Sequence, residues 1–157
     1  MKVLIAMDGS HHADKAFDWY CENLHKEENE IFVYSHCDPP QVPATALGGF
    51  NLVPGAGLPS ISAAQLDMMI KDHKHKCANL KKALTEKCKV FTGNATVLVE
   101  TDDGSSGSNI VKKAQEISAD LIVTGSRGLG TIRRTILGSV SDYVLHHVQV
   151  PVIVFKD

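Results

Sequence analysis

Five short apolar runs, separated by turn clusters and helical patterns, restrict this chain more than any other feature. They are Lys2 to Met7, Glu30 to His36, Thr96 to Glu100, Leu121 to Thr124 and Pro151 to Phe155. Lys2 to Met7 is continuously apolar after its lysine, at the length of a strand buried on both faces, the pattern of a central parallel strand. The connecting segments carry a different period. Ser10 is placed to cap a helix on which Ala13, Ala16, Phe17, Tyr20 and Leu24 share one face. Leu66, Ile70, His73, Cys77, Leu80 and Leu84 recur in alternating steps of four and three, which predicts a long amphipathic helix over 62–87. Ile110, Ala114 and Ile117 mark a third helix, and 139–147 reads as a fourth. Strands that alternate with helices imply right-handed crossovers and a parallel sheet covered on both faces. The predicted class is therefore α/β, a doubly wound five-stranded parallel sheet. A chain of 157 residues suffices for one domain, 1–157, with its own core.

In sheets of this kind ligands bind beyond the carboxyl ends of the strands, where the strand order reverses. One stretch looks built for that place: Gly125 to Ser141, which follows the fourth apolar run and leads into the last helix. A helix start leaves unpaired N–H groups with the positive end of the helix dipole behind them, which is an anion site. Gly125, Gly128, Gly130 and Gly138 allow positive φ and close backbone approach, while Thr131, Thr135, Ser139 and Ser141 can donate hydrogen bonds. Arg127, Arg133 and Arg134 add positive charge with no acid between Gly125 and Ser141. The same residues also suit a glycine-rich surface loop with solvated arginines. Neither the Walker A nor the dinucleotide glycine pattern is present, since Arg133 stands where the third glycine of Gly-x-Gly-x-x-Gly belongs.

The spacing Gly125-x-x-Gly128, nine residues, then Gly138-Ser139 resembles the nucleotide motif of the universal stress protein family, in its ATP-binding form. The likeness spans nearly the whole chain, through Val3 to Ser10, Ala119 to Gly128, Leu137 to Ser141 and Val150 to Val154. It implies strand order 3-2-1-4-5, which opens a crevice between the first and fourth strands. It also implies that Gly125, Gly128, Gly138, Ser139, Val140 and Ser141 surround ribose and phosphates. Asp8 would meet the nucleoside, and Cys37 would meet the adenine edge through its main chain; Met7, Ser126 and Arg127 complete the expected set. Asp8 equally suits a turn carboxylate in Asp8-Gly9-Ser10. The implied ligand is ATP, with magnesium able to bridge its phosphates. The implied role is a nucleotide-dependent stress-response or signalling module, with an unknown protein partner and slow or no hydrolysis. A weak but genuine ATPase and a nucleotide-free dimeric module are the alternatives. Gly138→Val is expected to occlude the phosphate crevice and leave the fold intact. The closing strand lies at the sheet edge in this topology and implies a homodimer through 151–155.

Composition narrows the remaining classes. A net charge of −2 gives no basis for nucleic-acid binding, and no segment approaches the ~20 apolar residues of a membrane span. The run at the amino terminus stops at Asp8, too short for a signal sequence, so a cytoplasmic protein is expected. Cys21, Cys37, Cys77 and Cys88 show neither Cys-x-x-Cys nor zinc spacing and read as buried thiols or spectators. His73 falls on the apolar stripe and reads as a packed or hydrogen-bonded side chain; no metal is expected. Five of the six prolines lie in a loop over 38–60, which suits either a disordered insertion or a mobile lid on the ligand side.

Overall fold

The computed structural model describes residues 1–40, 62–91, 95–127 and 137–156. Its elements alternate as expected: β1 (Lys2–Ala6), α1 (His11–Asn23), β2 (Glu30–His36), α2 (Ala63–Phe91), β3 (Ala95–Glu100), α3 (Ser106–Glu116), β4 (Leu121–Gly125), α4 (Ser139–His147) and β5 (Val152–Phe155). The sheet is parallel throughout, in the order β3-β2-β1-β4-β5. β1 is the central strand, with Ala6 level with Tyr34 of β2 on one side and Thr124 of β4 on the other.

Alternation along the strands feeds two cores. Val3, Ile5, Ile31, Val33 and Val123 face α1 and α2, where Phe17, Tyr20, Leu84 and Cys88 meet them. Leu4, Ala6, Tyr34 and Ile122 face α3 and α4, against Ile110, Ala114 and Val144. Both faces of β1 are thus dry, which is why its sequence is apolar without alternation.

The helices begin where hydroxyls can accept their first amides. Ser10 sits in extended conformation and its Oγ accepts from Ala13 N at 3.3 Å. Ser105 does the same for Ser108. Before α2, Ser62 and Gln65 form a reciprocal capping box: Gln65 N donates to Ser62 Oγ at 3.2 Å and Ser62 N to Gln65 Oε1 at 2.9 Å.

Two details depart from the helical patterns. Leu24 does not share the buried face of α1; it is the C-cap, where the backbone leaves the helix, and is 39% exposed. α2 runs to Phe91 rather than stopping near 87, and of its predicted stripe Leu84 is buried while Leu66, His73, Cys77 and Leu80 are half-buried and Ile70 is exposed. Most of the loop predicted over 38–60 lies outside the described residues. Among the described residues, no helix is long and apolar enough to cross a membrane.

Candidate functional site

The order of the strands reverses at β1. The chain moves from β1 to β2 and β3 on one side, then crosses to β4 and β5 on the other. The carboxyl ends of β1 and β4 are therefore neighbours: Met7 and Asp8 follow β1, Gly125 is the last residue of β4, and Ser126 and Arg127 follow it. Met7 is buried and its N–H donates to Tyr34 O at 2.9 Å, so it prolongs the β1–β2 ladder. Asp8 is half-buried, and its Oδ1 accepts from Ser10 N at 2.9 Å across Gly9, which has φ +77°. One oxygen of this carboxylate thus holds the turn into α1, the structural alternative weighed for it.

The glycines serve the backbone differently from expectation. Gly138 has φ −65° and ψ 148°, and Gly125 is not among the described positive-φ residues. Both are dictated by packing instead. A Cβ on Gly125 would stand 2.8 Å from the carbonyl carbon of His12, in the first turn of α1. A Cβ on Gly138 would stand 2.9 Å from Ser126 O, the same oxygen that accepts from Gly138 N at 2.7 Å. Gly138→Val would accordingly push this closure apart, so its effect is not confined to a ligand crevice.

That closure fixes where α4 begins. Ser126 N donates to Phe155 O at 2.7 Å, tying the end of β4 to β5, and Ser126 O then holds Gly138. The first described bond of the α4 ladder is Asp142 N to Gly138 O, 2.9 Å, so the amides of Ser139, Val140 and Ser141 precede the ladder. Gly138 makes no side-chain cap bond. Ser139 is exposed, Val140 half-buried and Ser141 buried, with its hydroxyl donating to Gly138 O at 2.9 Å. Ser141 therefore supplies a ligand with its amide more readily than with its hydroxyl. Asp142 is the acid of the first turn; its Oδ1 lies 3.7 Å from Nδ1 of His146. Gly128, Gly130, Arg133 and Arg134 lie outside the described residues.

Cys37 stands at the carboxyl end of β2, the strand beside β1, and its N–H donates to Glu100 O at 2.8 Å. This amide extends the sheet, so a main-chain contact to a ligand here falls to the carbonyl. Around it is a cluster that sequence reasoning had left apart. The His36 side chain is only 1% exposed and lies between Asn109 Nδ2, 3.2 Å from Nδ1, and Asp38 Oδ1, 3.4 Å from Nε2. Asp38 Oδ1 also accepts from Ser106 Oγ at 3.4 Å. Its carbonyl receives the ring of His73 at 2.9 Å. His73 is thus hydrogen-bonded, as its position on the apolar stripe implied. Among the described residues, no three His, Cys, Asp or Glu side chains group as metal ligands. An open depression lined by Lys2, Glu28, Glu30 and Asp120 lies at the opposite, amino end of the sheet, where Lys2 N already donates to Asp120 Oδ2 at 2.7 Å. With its carboxylates it does not suit an anion.

Fold and site define a doubly wound α/β domain with a helix amino terminus held against the carboxyl end of β4. The sequence matches the universal stress protein family over residues 1–156, and the chain belongs to that family. Among curated relatives it is 28% identical to the stress response protein NhaX of Bacillus subtilis, over 99% of this chain and 97% of the other. Among solved structures it resembles the universal stress protein UspA of Lactobacillus plantarum, with a TM-score of 0.76 at 19% identity, covering 99% of this chain and 97% of the other. It also resembles a universal stress protein of Arabidopsis thaliana with AMP bound, with a TM-score of 0.63 at 19% identity, covering 99% and 91%. At such identities these likenesses establish the fold.

Proposed function

We propose that this protein binds an adenine nucleotide, ATP in particular, beyond the carboxyl ends of β1 and β4, and that occupancy is read by a partner protein in a stress response. The observation that carries this is the closure of Ser126 onto Gly138, from which the amides of Ser139, Val140 and Ser141 emerge at a helix start beside the half-buried Arg127. Donors so arranged suit phosphate oxygens, with the dipole of α4 behind them. AMP bound to the Arabidopsis relative is consistent with the same ligand class. Gly125 and Gly138 act as the joints that bring the loop and helix close enough, and Asp8 and Cys37 border the nucleoside end. Magnesium would neutralise phosphate charge while keeping most of its waters.

Binding with slow or no turnover is favoured over efficient hydrolysis. Hydrolysis needs a group placed to orient the attacking water and others to stabilise charge on the transferred phosphoryl, and no motif in the sequence assigns Asp8 or the arginines to either task. The test is to denature freshly purified protein, identify any released nucleotide by ion exchange, and titrate the apo protein with Mg-ATP, ADP and AMP in a calorimeter. Co-purified ATP or micromolar binding is expected, with phosphate release no faster than the buffer control. Magnesium-dependent turnover would make the protein an ATPase. Neither release nor binding would leave a nucleotide-free interaction module.

A further inference from the structure

The cluster at the carboxyl ends of β2 and β3 holds two thiols on one side of α2. His36 is level with Glu100 across β2 and β3, so Cys37 comes beside Thr101. Cys77 reaches the same point from α2, its Sγ 4.0 Å from Thr101 Oγ1; level residues of neighbouring parallel strands share a sheet face, so the Cys37 side chain lies on the side that Cys77 occupies. Both cysteines are free and partly accessible. One turn before Cys77 on the same helix face, His73 brings its ring to the sulfur, with Nε2 3.5 Å and Nδ1 3.9 Å away. The Nε2 of that ring is 2.9 Å from the carbonyl oxygen of Asp38. A carbonyl can only accept, so Nε2 carries the proton and Nδ1, 3.9 Å from Cys77 Sγ, holds the lone pair.

We propose that Cys37 and Cys77 are a peroxide-oxidisable pair that closes to an intramolecular disulfide, with His73 as the base for Cys77. The proton of Cys77 passes to His73 Nδ1. The thiolate then attacks hydrogen peroxide, breaking the O–O bond to give a sulfenic acid and hydroxide, which takes the proton from His73. The Cys37 thiol displaces the sulfenic oxygen as a second water. Two thiols and one peroxide thus yield one disulfide and two waters, the sulfurs losing two electrons to the peroxide. The roles are unequal because Cys37 is pushed up, first by burial and then by the neighbouring Cys77 thiol, which keeps it a thiol until the sulfenic acid forms. Closure would tie α2 to the end of β2. The proposal is independent of nucleotide binding.

Cys21 and Cys88 provide an internal control, since burial raises both thiols to about 11. The reduced full-length protein is treated with hydrogen peroxide, quenched with an alkylating agent, digested and mapped by mass spectrometry, alongside Cys77→Ser and His73→Gln. A Cys37–Cys77 linked peptide from monomeric chains is expected, with Cys21 and Cys88 alkylated. His73→Gln, which retains an amide for the Asp38 carbonyl, should slow its formation by about a hundredfold. In Cys77→Ser, no disulfide should form at Cys37. Complete alkylation of Cys37 and Cys77 after peroxide, or links only to Cys21, Cys88 or a second chain, would overturn the pair. An unchanged rate in His73→Gln would overturn the base.

Discussion

At the scale of single residues, two side chains separate stability from function. Tyr34 is 1% exposed and its hydroxyl has no hydrogen-bond partner among the described residues. An orphaned buried hydroxyl forfeits its solvation, so Tyr34→Phe should raise the unfolding free energy by about 1–3 kcal/mol at pH 7, measured by urea denaturation. Burial first, then the carboxylates of Glu100 and Asp102, pushes the phenol from 10.0 up to about 12. The folded state therefore holds the proton longer than the unfolded one. Its contribution is intact below about pH 10 and is lost as pH rises toward 12. Tyr34→Phe should flatten that alkaline decline, with Tyr20, also raised by burial, retaining a share of it. Ser139 offers the opposite contrast, being the exposed first residue of α4. An aspartate there favours the helix dipole by about 0.3–1 kcal/mol yet repels a phosphate. Ser139→Asp should leave urea stability equal or higher while weakening Mg-ATP at least about tenfold in calorimetry. Equal affinity would detach the ligand from α4.

At the scale of elements, caps and lengths decide. Ser10 is 6% exposed and supplies the acceptor that starts α1. Ser10→Ala should cost about 0.5–2 kcal/mol, read as a lower urea midpoint with an unchanged slope. A larger loss would mean that the turn held by Asp8 fails together with the cap. α2 shows what periodicity conveys and what it omits. At 29 residues it is about 43 Å long, roughly twice the span of the strands beneath it. Its stripe named the inward face correctly, but only the part that meets sheet is buried, which is why Leu84 is dry and Ile70 is wet. The exposed upper half is also what leaves His73 and Cys77 accessible above the ends of β2 and β3.

At the scale of the whole molecule, the open question is assembly. β5 ends the sheet, is half-buried, and pairs only with β4 among the described strands. Ile122 N donates to Pro151 O and Ser126 N to Phe155 O, so residues 151 and 155 turn toward β4 and Val152 and Val154 present their backbone outward. An apolar edge of this kind invites a twofold mate, and we propose a homodimer through it. Wild-type protein should sediment as a dimer at micromolar concentration. Val154→Pro, which removes one outward N–H and spares the β4 ladder, should sediment as a monomer with an unchanged circular dichroism spectrum. A monomeric wild type would refute the proposal. The amino-acid sequence by itself determined the five strands, the four helices, their alternation and the family, because apolar period and cap chemistry are local and each element declares its own. Tertiary structure alone decided that Gly125 is demanded by His12, that Ser126 clasps Gly138, that His36 meets Asn109 across 73 positions, and that Cys77 of α2 reaches Thr101 at the end of β3. Crossover connections bring such residues together, and no local pattern encodes the distance between two elements that meet only after the chain has folded.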